Sequence, residues 1–73
     1  MNERAIMALA AALAVALPAL ATAYAQARIG SAGAATVAEK PETSMTIIVL
    51  EAIPETMVVL GFVVAIMIIQ KIT

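Results

Sequence analysis

The sequence predicts an all-α membrane protein in which two transmembrane helices fold back on each other as an antiparallel hairpin. Three observations predict it. The chain has 73 residues, of which 64% are hydrophobic and 12% charged, and a soluble domain of that size would leave apolar surface in water. Its apolar residues form two long runs, from about residue 5 to 38 and from about 43 to 72, split by Glu39-Lys40-Pro41-Glu42. Neither run alternates polar and apolar residues. That excludes barrel strands and leaves helices as the structure able to satisfy its backbone in lipid.

The first run is rich in Ala, the best helix former, and is interrupted by Pro18, Gln26 and Arg28. Ala19, Ala21, Ala23, Ala25 and Ala27 alternate, and Gly30, Ala32 and Gly33 follow. Small side chains let helices approach closely, so this run is expected to form the packed inner wall of an oligomer. Its start also has a second reading. Met1-Asn2-Glu3-Arg4, an Ala/Leu run and Ala21-Thr22-Ala23-Tyr24-Ala25 together imitate a secretory signal with a small-residue cleavage site. Against removal, the apolar run continues past those sites.

The break comes next. Pro41 drives Lys40 out of helical geometry, so a turn belongs at 39–42. The second run is dominated by Ile, Val, Leu and Met. At 1.5 Å per residue each run reaches roughly 45–50 Å, more than the roughly 30 Å of hydrocarbon. So short a break makes the two helices antiparallel neighbours, and no second domain is indicated.

Composition also narrows the chemistry. A net charge of −1 offers no basic field for nucleic acid. With no Cys and no His, disulfides, thiolate chemistry, most zinc sites and the commonest general base are missing. Carboxylates and hydroxyls remain, which argues against a self-contained enzyme and against any cofactor beyond a transported ion.

Between Glu42 and Lys71 the only charged residues are Glu51 and Glu55. Glu55 lies roughly 18 Å along the second helix from Thr43, near the middle of a bilayer. A charge there costs roughly 2.5–3.5 kcal/mol on insertion scales. The functional reading is a carboxylate that loads and unloads a monovalent cation. The structural reading is a protonated carboxyl bonding two helices.

The neighbours favour the first reading. Pro54 has no N–H, so the Leu50 carbonyl loses its helical donor and adds oxygen near the carboxylate. Thr56 adds a hydroxyl, and hard cations take such oxygen ligands. On the structural reading Pro54 only kinks the helix and Thr56 bonds its own backbone. Gln26 is more telling. It stands fifteen residues before Pro41 and Glu55 fourteen after, so a hairpin of equal rise puts them at one depth. The amide could coordinate sodium through its oxygen or bond the carboxylate through its NH₂, or it could simply glue helices together.

Glu51 sits one turn before Glu55 on nearly the same face. Two carboxylates so close in lipid need a partner, and Arg28 is near Glu51 in depth. A supporting Arg28–Glu51 ion pair is the expectation. The alternatives are Glu51 as a second ion carrier and Arg28 snorkelling toward the loop-side headgroups.

These residues carry a family resemblance over nearly the whole chain. Gln26-Ala27-Arg28-Ile29-Gly30, the loop Ala38-Glu39-Lys40-Pro41-Glu42 and Ile53-Pro54-Glu55-Thr56 with Gly61 beyond resemble the proteolipid of rotary ATP synthases that builds the rotor ring, most closely its archaeal-type, or V/A-type, form. The resemblance implies a ring of identical hairpins in the cell membrane, with the small-residue helix inside and the 39–42 loop cytoplasmic against central-stalk subunits. It makes Glu55 the carrier of H⁺ or Na⁺, displaced by an arginine of a stator membrane subunit, so that ring rotation couples ion flow to ATP synthesis or hydrolysis. In sodium-binding members the positions of Gln26, Glu55, Thr56 and Ile53 form the site, so Na⁺ is expected there if this chain binds it. Two departures stand out: alternating Ala where Gly is frequent, and Met57 where Gln is frequent, which removes one oxygen.

Two other classes stay open on sequence. A signal-cleaved, single-span coat-type protein expects a basic C-terminus to hold nucleic acid, for which Lys71 alone fits poorly. A small membrane regulator that binds a transporter by helix packing leaves the common depth of Gln26 and Glu55 as coincidence.

Overall fold

In a computed structural model, which describes residues 1–72, two helices lie side by side and antiparallel. Helix α1 covers Glu3–Glu39 and α2 covers Ser44–Ile72, joined by the 3₁₀ turn Pro41–Thr43. The molecule is a slab of 55 × 18 × 9 Å, and its length is that of α1. Both helices are long and apolar enough to cross a membrane. The expected break at 39–42 is tighter in the structure. Glu39 closes α1, and Lys40 alone is extended, with φ −135° and ψ 85°.

Local chemistry sets these limits. Asn2 caps α1, its Oδ1 accepting from the Ala5 N–H at 2.8 Å, which supplies one of the acceptors that a helix start lacks. At the other end Pro41 holds the residue before it out of the helical region. The Lys40 N–H still bonds the Thr36 carbonyl at 2.8 Å. The Thr43 N–H and Oγ1 both bond the Lys40 carbonyl, at 2.9 and 2.7 Å, and tie the turn.

The helices meet along a thin seam. On α1 the buried residues are Ala11, Thr22 and Gly33, eleven residues apart, which is three turns plus about 20°. Two glycines allow the approach. A Cβ on Gly33 would collide with the Ile47 side chain. A Cβ on Gly61 would collide with the Ala14 carbonyl oxygen and lie 3.2 Å from Pro18 Cγ. That carbonyl is the one Pro18 leaves without a helical donor, so the break in α1 is turned toward the side-chain-free spot on α2.

Of the alternating alanines, Ala19 and Ala25 are half-buried beside the seam, whereas Ala21, Ala23 and Ala27 are exposed. Alternate residues on a helix are about 200° apart and cannot share one face. Away from the seam the large side chains are bare. On α1 they run Ile6, Leu9, Leu13, Leu17, Leu20, Tyr24 and then stop; on α2 they continue from Met45 to Ile69. Apolar exposure on this scale calls for lipid or further copies to cover it.

Candidate functional site

Midway along the hairpin, where both helices should be driest, the two exchange polar bonds. Gln26 on α1 and Glu55 on α2 meet, with Gln26 Nε2 donating to Glu55 Oε2 at 2.9 Å. The same Nε2 donates to the Glu51 carbonyl at 3.2 Å. Both acceptors call for the NH₂ end of the amide, which leaves the amide oxygen for another partner. Antiparallel packing and equal distance from Pro41 bring the pair together, as the sequence expects.

The remaining expected site residues are placed as follows. Thr56 and Ile53 lie on exposed positions of α2, with Ile53 62% exposed, and neither takes part in the Gln26 bonds. Three residues apart, they stand on one helix face. The freed Leu50 carbonyl is not the one that α1 engages. The backbone carbonyls of α2 that side chains of α1 reach are instead those of Glu51 and Pro54.

The expected Arg28–Glu51 ion pair is corrected by the structure, since no such pair is formed among the described residues. Arg28 NH1 donates to the Tyr24 hydroxyl at 3.0 Å, and the guanidinium lies 5.6 Å from the Tyr24 ring centroid, within cation–π range. Arg28 and Glu51 share a depth, but azimuth decides. Arg28 is two residues from Gln26, about 200° around α1, and so points away from α2. Reaching back to Tyr24, Arg28 also turns away from the loop, against the snorkelling alternative.

Glu51 faces α1 instead. Its Oε2 lies 3.2 Å from where a Cβ on Gly30 would be, so Gly30 makes its space. Its Oε1 is buried with no hydrogen-bond partner.

One residue of the site escapes the sequence reading. Thr22 is 3% exposed, and its hydroxyl donates to the Pro54 carbonyl at 2.8 Å, next in sequence to Glu55. The available signal was its place one turn before Gln26 on the same face.

The arrangement offers an acidic oxygen pair at the edge of the hairpin, one oxygen held by an amide from the other helix. Such a carboxyl can hold a proton, or with added oxygen ligands a hard cation. The sequence pattern of the ATP synthase C-subunit family matches residues 9–68. That span takes in most of both helices and the polar cluster between them. It also includes most of the stretch that a signal peptidase would remove, which does not favour the coat-type alternative. No individual curated protein matches the chain.

Proposed function

The chain belongs to the ATP synthase C-subunit family, and from that premise we propose that it forms the rotor ring of an archaeal-type, or V/A-type, ATP synthase, carrying a proton or a sodium ion on Glu55. Family membership makes it a membrane protein with two spans, found in a ring of identical copies within a larger complex. The finer assignment draws its support from the Ile53-Pro54-Glu55-Thr56 run and the Glu39-Lys40-Pro41-Glu42 loop. A single observation carries the ionic role: the bond of 2.9 Å from Gln26 to Glu55 across the helices.

Each hairpin presents Glu55 at an exposed position of α2 while Gln26 holds one of its oxygens. A proton sits directly on the carboxyl. A sodium ion would be held by the carboxylate, the amide oxygen of Gln26 and the Thr56 hydroxyl, which stands at an exposed position, with a second lone pair of the helical Ile53 carbonyl as a further acceptor. Passage past an arginine of the stator displaces the ion, because a guanidinium outcompetes it for the carboxylate. Reloading on the other side makes each site advance in one direction. The 39–42 loop, on the cytoplasmic side, passes that motion to central-stalk subunits. The chain performs no catalysis; the nucleotide chemistry belongs to other parts of the complex.

Carbodiimide labelling of intact rings tests this, since the reagent attacks protonated carboxyls in apolar surroundings. Modification concentrates on Glu55 over Glu39 and Glu42, and sodium slows it if sodium is the ion. Glu55→Gln keeps the assembled ring and abolishes ion transport. Equal labelling of all three acids, or transport that survives Glu55→Gln, would refute the reading.

A further inference from the structure

Pro54 interrupts α2 one residue before the carboxylate. With no N–H to give the Leu50 carbonyl, it removes the bond that would tie the turn before it to the turn after. Such a break leaves the two halves free to bend against each other, and Glu55 stands on the far half. Two side chains of α1 reach across it. Gln26 donates to the Glu51 carbonyl on the near side at 3.2 Å, and Thr22 to the Pro54 carbonyl on the far side at 2.8 Å. They are one turn apart on one face of α1.

The Thr22 bond is not the ordinary habit of a helical threonine, which bonds back to its own helix. Thr36 does so, donating to the Ala32 carbonyl at 3.1 Å. Thr22 turns to the other helix, and it is the one buried polar residue among those described.

We infer that Thr22 is a positioning residue for Glu55. Together with Gln26 it splints α2 across Pro54 and fixes the rotation of the turn carrying Glu55, so that the carboxyl meets the Gln26 amide. This rests on Glu55 being the ion carrier, as proposed above. Thr22 touches neither the carboxyl nor the ion, and acts through the backbone of Pro54.

The test compares purified rings of the native chain, Thr22→Val, Thr22→Ser, Gln26→Leu and the Thr22→Val/Gln26→Leu pair. Carbodiimide modification is located at Glu55 by peptide mass spectrometry, and ring integrity is followed by gel mobility. Thr22→Val keeps the shape and removes the hydroxyl. It should speed modification of Glu55 by about fivefold, the worth of one neutral hydrogen bond, because the carboxyl swings off the amide that covers one oxygen. Thr22→Ser restores the rate to within about twofold. In the Gln26→Leu background Thr22→Val adds nothing, since residues acting as one unit are not additive.

A merely packing role predicts additive effects and no rescue by serine. An unchanged rate in assembled Thr22→Val rings, or additivity in the double variant, overturns the inference. Should Thr22→Val fail to assemble, Thr22→Ala is read in the same cycle, and an unchanged rate there overturns it equally. Failure of the native ring to label at Glu55 would instead refute the ion-carrier reading, so the two are told apart.

Discussion

Replacing Gly61 with alanine perturbs the site from a distance that the structure lets one calculate. The new Cβ would clash with the Ala14 carbonyl oxygen and lie 3.2 Å from Pro18 Cγ. One obstacle is backbone and the other a proline ring, so neither can rotate aside and the helices must part. Overpacking of this kind costs about 1–3 kcal/mol, against a gain of about 0.8–1 kcal/mol for alanine over glycine within a helix. The net is about 0–2 kcal/mol, too small for ring melting to decide the matter. Geometry is more sensitive. With the hairpin held at its turn near residue 43, Gly61 lies about 27 Å along α2 and Glu55 about 18 Å. Opening by about 1 Å at Gly61 therefore becomes about 0.7 Å at Glu55 if the helices swing as rods. The Gln26–Glu55 bond of 2.9 Å would stretch beyond the range of a real hydrogen bond. The assay is site-resolved carbodiimide labelling of intact Gly61→Ala rings, and Glu55 should react several-fold faster than in the native ring. Intact rings that label at the native rate would refute the lever argument and the close approach at Gly61 on which it stands.

Two further outcomes are expected. Glu51→Gln keeps the shape of a side chain that no cation reaches among the described residues, so reconstituted ion transport should persist at near-native rate; abolished transport would make Glu51 a second carrier. Mass analysis of the chain extracted from membranes should recover the α1 peptides from residue 3 onward, whereas their absence would restore the signal-cleaved reading.

The hairpin was legible because its signals are long: two apolar runs and one proline-centred break determine it. The level placement of Gln26 and Glu55 was legible as well, since rise along two antiparallel helices is a linear count from Pro41. Arg28 shows where that count stops being enough. Its depth suits Glu51, but its azimuth turns it to Tyr24, and rotation about α1 cannot be read without knowing which stripe meets α2. That stripe was hidden because α1 is alanine almost all round, with little contrast between its faces. Thr22 was obscured for the same reason. A single hydroxyl in an alanine run reads as neutral until its neighbour is known to be a proline-broken turn.

The bare side chains of the hairpin carry a last implication. Along α1 they extend from Ile6 to Tyr24, along α2 from Met45 to Ile69, which is about 27 Å against about 36 Å of axis. Beyond Tyr24 the exposed face of α1 is mostly small, with Ala27, Ala32, Ala34, Ala35 and Ala38, so a lone hairpin is bulky along the whole of one flank and slender along half of the other. A neighbouring copy seated on the slender half could bring its backbone closer than one seated on the bulky flank, because small side chains set a shorter distance between helices.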